Sequence, residues 1–311
     1  MWPAIYIRIK KRISEEMQMK SGYVPALGTP LDAAGNLLKE SYRRQIEDQI
    51  QAGAVGLLCM GSMGIQAFLR SGICPQVAQT AVDAAQGVPV FVGAMDTSIA
   101  RVRERMAAME ELDAAGFVLT APYYSPASPK QMINFFKGAA SCTTHRILLY
   151  DLPGVTQCKI TYEMVLQLLW EIPNLAGIKS ADLQMFRRLK LNPEVPEDFI
   201  MVYSGLDTFD IGYRWGITNC LDGMLSCTPR TSKVLFDSLA KDDREAAGRH
   251  LNAIVALRDL FIAHDLWPSY TAAMNALGYE GSYGPDYADV LPAEEQKIIH
   301  QALAAMGEID K

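Results

Sequence analysis

The sequence predicts an α/β fold, specifically a (β/α)8 TIM barrel with a small C-terminal helical annex. Three observations carry that expectation. Short apolar runs rich in β-formers alternate with longer amphipathic runs, and eight such units fall within about 220 residues, the dimensions of a closed barrel. The short runs are nearly continuous in hydrophobicity rather than alternating, as in parallel strands buried on both faces. The chain has 311 residues, a length at which α/β barrels form one domain.

The strand candidates are residues 22–27 (GYVPAL), 55–61 (VGLLCMG), 89–94 (PVFVGA), 116–122 (GFVLTAP), 146–153 (RILLYDLP), 175–180 (LAGIKS), 199–207 (FIMVYSGLD) and 220–226 (CLDGMLS). Between them, stretches such as 42–53, 100–116 and 161–172 repeat their apolar residues at helical spacing and turn their charges to the other face. Ala52-Gly53 and Ala115-Gly116 read as helix stops. A doubly wound open sheet is the alternative. It would normally carry a Gly-rich phosphate-binding turn after its first strand, and none follows residues 22–27. Beyond residue 228 the strands cease, and 229–264, 267–278 and 292–306 read as helices, one completing the barrel. The domain reading is therefore an N-terminal extension over 1–20, the barrel over 21–240 and a helical region over 241–311. The first residues put a short apolar stretch ahead of a basic cluster, the wrong order for a signal peptide. They read as a helical extension, or as residues ahead of a start at Met17 or Met19.

Composition narrows the function classes. Half of the residues are hydrophobic, 21% are charged, and the net charge is −6. A basic face for nucleic acid or an anionic membrane is not implied, and an anionic substrate would need local donors. The six cysteines (Cys59, Cys74, Cys142, Cys158, Cys220, Cys227) form no CxxC pair and read as reduced thiols of a cytoplasmic protein. The four histidines lack ligand spacing, so no metal is expected. No apolar run is long enough to span a bilayer.

In a barrel, chemistry sits where strands end and βα loops begin. Lys179 lies at the end of the apolar run Ala176-Gly177-Ile178-Lys179-Ser180. A lysine there either reaches solvent past the strand or is desolvated, in which case its amine becomes a nucleophile toward carbonyls. Lys39, Lys130, Lys137 and Lys190 occupy polar helical stretches and read as solvated. Tyr150 ends the fifth strand, either as a proton shuttle or as a packed tyrosine at the rim. Gly61-Ser62-Met63-Gly64 follows the second strand, where a tight turn could aim amides inward at a helix start and bind a carboxylate. Tyr123 and Tyr124 close the fourth strand as catalytic, wall or interface residues. Asp207 and the segment Asp96-Thr97-Ser98 read as helix caps.

Taken in order, GYVPALGTPLD, GSMG, TAPYYSP, YDLP, GIKS and YSGLD resemble the dihydrodipicolinate synthase / N-acetylneuraminate lyase family of class I aldolases over about residues 22–280. The resemblance implies that Lys179 forms a Schiff base with a 2-oxo acid such as pyruvate, and that Tyr150 is its acid/base partner. It implies a proton-relaying hydroxyl at Ser62 and a tyrosine, Tyr124, that completes the relay from a neighbouring subunit of a homotetramer. The amides of Ser62 and Met63, next to Gly61, would hold the carboxylate. Asp207, Leu225, Ser226 and the position of Val155 would be further substrate contacts. No cofactor is implied beyond the covalent imine on Lys179.

Three departures limit the substrate. Val155 stands where the synthase branch has a carboxylate-binding Arg, Ile65 where a Glu is usual, and Asp151 where Asn is common. They describe an altered pocket, less polar near Val155 and Ile65. The expected activity is an aldolase acting on a 2-keto-3-deoxy sugar acid or a hydroxy-oxo dicarboxylate, with pyruvate and an aldehyde as its small-molecule partners. A dehydratase sharing the imine, a 4-hydroxy-tetrahydrodipicolinate synthase-like condensation and a non-catalytic oxo-acid-binding barrel are the alternatives.

Overall fold

A computed structural model describes residues 19–310; the expected extension over 1–20 falls almost wholly outside them. Eight parallel strands run β1 (Gly22–Pro25), β2 (Leu57–Cys59), β3 (Val90–Gly93), β4 (Gly116–Thr120), β5 (Ile147–Tyr150), β6 (Leu175–Ser180), β7 (Ile200–Tyr203) and β8 (Asn219–Asp222). They are ordered β1-β8-β7-β6-β5-β4-β3-β2. The bridge between Ala26 and Leu58 and the bond from the Leu27 amide to the Leu58 carbonyl, 2.9 Å, bring the two ends together, so the sheet is a nearly closed barrel.

Alternation along each strand divides the core into two layers. Val24, Leu58, Phe91, Val118, Leu148, Val202 and Leu221 form the interior cluster. Their strand neighbours Tyr23, Leu57, Val92, Phe117, Leu149 and Cys220 belong to the larger layer between barrel and helices. Both faces being apolar explains the uninterrupted hydrophobic runs. Each fully buried aliphatic or aromatic side chain adds about 1.5–3 kcal/mol to this core.

The barrel helices are α1 (Lys39–Gln51), α2 (Cys74–Ala84), α3 (Ile99–Ala107), α4 (Pro129–Ala140), the single turn α5 (Pro153–Thr156), α6 (Tyr162–Glu171), α7 (Leu183–Leu191), α8 (Phe209–Arg214) and α9 (Pro229–Ala240). α1 stops as the sequence predicts, with Gly53 at φ +93°, a conformation glycine adopts without steric cost. α3 is shorter than expected. It ends at Ala107, and Gly116 opens β4 rather than closing a helix.

The annex comprises α10 (Arg244–Ala263), α11 (Leu266–Ala276) and α12 (Ala293–Met306). The run expected as one helix over 229–264 is two. Asp242 sits at φ +52°, and the Asp243 side chain accepts the Ala246 amide at 3.0 Å to start α10. Among the described residues no helix is long and apolar enough to cross a membrane.

Candidate active site

The register of β5 against β6 builds the centre of the site. Tyr150 pairs with Lys179, and Lys179 pairs with Val202 on its other side. Tyr150 and Val202 are both interior residues, so Lys179 projects into the barrel mouth. It is 7% exposed, and its Nζ lies 3.9 Å from the centroid of the Tyr150 ring. Among the described residues no carboxylate forms an ion pair with it. What it meets is the aromatic face, a weaker partner than a carboxylate. The amine therefore lines a cavity of about 680 Å³ without a carboxylate paired to it among the described residues.

Tyr150 is buried, and its Oη lies 3.2 Å from Ser62 Oγ, within hydrogen-bond reach. That contact joins β5 to the turn after β2. The turn is held by two buried side chains: Thr29 Oγ1 donates to the Gly64 carbonyl at 2.8 Å and Gln66 Nε2 to the Met95 carbonyl at 2.7 Å. Met60 and Ile65, which flank it, have φ of +53° and +47°. Such values are unusual for side chains of this bulk and mark stored local strain. Among the described residues the amides of Ser62 and Met63 find no acceptor in the chain. They remain free for an anion, although the expected helix start is only a 3-10 turn, Gln66–Phe68. The Met63 side chain lies over Gly223 at the end of β8, where an added Cβ would come within 2.0 Å of Met63 Cγ.

One step beyond Tyr150 and Lys179 a polar lock closes. Asp151 Oδ2 accepts from Ser180 Oγ at 2.7 Å, Oδ1 accepts from the Ile160 amide at 3.0 Å, and the Lys159 ammonium donates to the same carboxylate. Lys159 also pairs with Asp182 Oδ2 at 3.1 Å. Ser180 Oγ in turn accepts the Asp182 amide at 3.0 Å. Burial opposes the charge on Asp182, but the Met185 amide and Lys159 outweigh it and hold this carboxyl below the usual range. Asp222 completes the lining. Burial pushes its carboxyl up, against the bond from the Met224 amide and the charge of Lys179.

Other expected site residues lie elsewhere. Leu225 and Ser226 are fully buried behind β8, with Ser226 Oγ 2.5 Å from the Tyr270 hydroxyl of α11. They pack the annex and do not line the cavity. Asp207 neither lines it nor caps a helix; both its oxygens take Arg258 of α10, at 2.6 and 2.9 Å. The segment Asp96-Thr97-Ser98 does cap α3, through Ser98, while Asp96 is gripped by Arg101 and Arg105 at 2.6 and 2.7 Å. Val155 is exposed on α5, and Ile65 belongs to the outer core. Neither is part of the cavity wall, which on the β5–β6 side mixes Asp151, Lys159, Asp182 and Gln184 with Leu152, Pro153, Ala181 and Leu183. Gly61 is buried under the turn, and Tyr124 stands 89% exposed on the loop after β4. Sequence reasoning missed Thr29, Gln66, Lys159, Asp182 and Asp222. Only Asp151, read as a departure from Asn, signalled the lock.

Comparison with known proteins agrees with this architecture. The profile of the Dihydrodipicolinate synthetase family matches residues 19–298. The 4-hydroxy-tetrahydrodipicolinate synthase of Salinibacter ruber is 29% identical over 254 residues, covering 78% of this chain and 80% of that protein. The synthase of Bartonella quintana is 25% identical over 93% of this chain and 99% of its own. Among solved structures, a prophage protein of the dihydrodipicolinic acid synthase family from E. coli K12, in complex with pyruvate, superposes with a TM-score of 0.83 at 21% identity, over 92% of this chain and 98% of that one. The N-acetylneuraminate lyase of Proteus mirabilis gives 0.84 at 18% identity, over 94% of this chain and 100% of that one. These last two likenesses show the fold.

Proposed function

The chain belongs to the dihydrodipicolinate synthetase family and is a carbon–carbon lyase of that family, and we infer that Lys179 is its nucleophile toward pyruvate or a 2-oxo acid that releases it. The observation that carries this reading is the pairing of a buried amine with a tyrosine ring at 3.9 Å, at the floor of the cavity. The pyruvate complex of the E. coli relative supports the choice of 2-oxo acid.

The chemistry follows from those positions. The Lys179 amine attacks the ketone carbon, and loss of water from the carbinolamine leaves a protonated imine. Its positive nitrogen accepts the electron pair released when the C3–C4 bond breaks. Tyr150 gives the proton with which that water leaves, and the resulting phenolate takes the proton of the C4 hydroxyl, with Ser62 as relay, as an aldehyde departs. The enamine takes a proton at C3, and water hydrolyses the imine to pyruvate. The carboxylate at C1 is held by the free Ser62 and Met63 amides. No cofactor takes part; the imine on Lys179 serves as the electron sink. Tyr124, so exposed in the single chain, would complete the relay in a neighbouring subunit of a homotetramer. The reduced thiols suit a cytoplasmic setting.

The test is borohydride reduction in the presence of pyruvate, read by peptide mass spectrometry. The expected result is one covalent adduct, on Lys179; an unmodified Lys179 removes the basis of the proposal. Product analysis separates cleavage from its relative. Free pyruvate means an aldolase, and a product of unchanged carbon count means a dehydratase using the same imine.

A further inference from the structure

We propose that Lys159 and Asp182, on the β5–β6 rim of the cavity, form a subsite for an uncharged hydroxylated tail of the substrate and select it over a second carboxylate. The inference rests on the aldolase reading and specifies what lies beyond its C4.

Position comes first. Ser62 meets Tyr150 on the β2 side of the site, and that turn takes the C1 carboxylate. The cavity beside Lys179 is lined by Lys159, Asp182, Gln184 and Ser204 and by no residue of that turn. A tail beyond C4 therefore meets this wall.

Charge decides the chemistry of that tail. The lining includes two lysines, Lys159 and Lys179, against three acids, Asp151, Asp182 and Asp222. Lys179 is consumed by the imine. Lys159 already bridges Asp151 and Asp182, so no uncompensated cation remains for a distal carboxylate, which would also face the Asp182 charge. A hydroxyl fits the same groups. An ammonium has three N–H donors; two are committed to Asp151 and Asp182, which leaves the third for a hydroxyl oxygen of the substrate. Asp182 spends one oxygen on the Met185 amide at 2.8 Å and the other on Lys159, leaving further lone pairs to accept from an O–H. Among the described residues the side chains of Gln184 and Ser204 make no hydrogen bond, so both are available to a polyol. The Asp151–Ser180 bond fixes Lys159 from behind, which keeps the subsite in place before substrate arrives.

The experiment compares pyruvate release from two substrates sharing C1 to C4, 2-keto-3-deoxygluconate and 4-hydroxy-2-oxoglutarate, after wild-type trapping with pyruvate and borohydride. We expect kcat/KM to favour the sugar acid by about 10²-fold, as for a site whose buried polar groups are left unpaired by the wrong ligand. Asp182→Asn keeps the helix cap of α7, because Asn is as good an N-cap as Asp; it should narrow that ratio about tenfold. Gln184→Leu, at an exposed position whose side chain packs into no core, should narrow it several-fold by removing one tail contact. Equal or better use of the dicarboxylate, cleavage of neither compound, or a ratio unmoved in both variants overturns the subsite. If the adduct on Lys179 forms in those cases, only the subsite falls; if it does not form, the aldolase reading falls with it.

Discussion

Replacing Asp151 with Ala removes the acceptor at the centre of the polar lock, and its cost can be worked from the contacts. The carboxylate is 4% exposed and receives the Ile160 amide at 3.0 Å, the Ser180 hydroxyl at 2.7 Å and Lys159. Ile160 and Ser180 are fully buried, so neither donor can turn to water. A buried donor left unsatisfied costs about 1–3 kcal/mol. Ser180 keeps its bond from the Asp182 amide as an acceptor, which places its loss at the low end. Lys159 is 39% exposed and retains Asp182, so its lost ion pair adds at most about 1 kcal/mol after solvent screening. The sum is a destabilisation of about 3–4 kcal/mol. Asp151→Asn keeps the volume and one acceptor for Ile160. Its amide can donate to Ser180, whose hydroxyl rotates, and only Lys159 is left facing a donor; about 1–2 kcal/mol is expected. Urea unfolding of the two variants and the parent, at matched slope, measures both. A cost for Ala below about 1 kcal/mol, or equal costs for Ala and Asn, would refute the reasoning that buried donors set the penalty.

Tyr150→Phe should lower turnover by about 10²-fold or more while borohydride still traps pyruvate on Lys179 at a reduced rate; undiminished turnover removes the phenol from the mechanism. Gly177→Ala would put a Cβ 2.4 Å from the Ile200 carbonyl oxygen, so β6 and β7 must separate. A loss of about 1–3 kcal/mol is expected, with imine trapping reduced further than the stability loss alone explains; normal trapping would show that the spacing of β6 is not needed for Lys179. Burial works to raise the Asp96 carboxyl, but Arg101, the Thr97 amide and Arg105 outweigh it and bring it from 3.8 down to about 2. A folded-state value below the unfolded one means that this stabilisation is full above 3.8 and is lost as pH falls toward 2. The urea midpoint of Asp96→Asn should accordingly vary less with pH across that window than the parent's, and parallel curves would contradict the assignment.

The fold was legible because both faces of each strand are covered, which leaves uninterrupted apolar runs for a reader to find. Lengths were less so. The apolar and charged spacing of 100–116 continues past Ala107, yet the chain must turn there so that the Ala115 amide can reach the Val90 carbonyl at 2.8 Å. The break at Asp242 depends on one left-handed residue and leaves no mark in hydrophobic spacing. In the site, Lys179 and Tyr150 stood out as polar residues ending apolar strands. Asp207, Leu225 and Ser226 do not line the cavity beside Lys179, because a place near a strand end does not decide which side of the sheet a side chain serves. Arg258, from an element 51 residues away, claims Asp207. Lys159, Asp182 and Gln184 were hidden for the opposite reason. Polar residues in loops and first helical turns look like any solvated surface until the fold brings them around one cavity.

What unites the amine, the phenol and the lock is a single irregularity of register. β5 and β6 begin in step at Ile147 and Leu175, but Leu148 pairs with Gly177, so Ala176 is skipped. Without that skipped residue the pairing would set Ile178 against Tyr150 and turn Lys179 toward Asp151. Because successive side chains point to opposite faces, the slip exchanges a hydrophobic residue for the amine at the barrel mouth. It also brings Ser180 beside Asp151, so the hydrogen bond at 2.7 Å can form only in the register that places Lys179 next to Tyr150. The lock thus stabilises the register that sets Lys179 beside Tyr150 over its neighbour, and, next to the skipped residue, Gly177 leaves room for the Ile200 carbonyl of β7. The place of the amine, the polar lock and the strand pairing in this part of the barrel are consequences of the same one-residue offset.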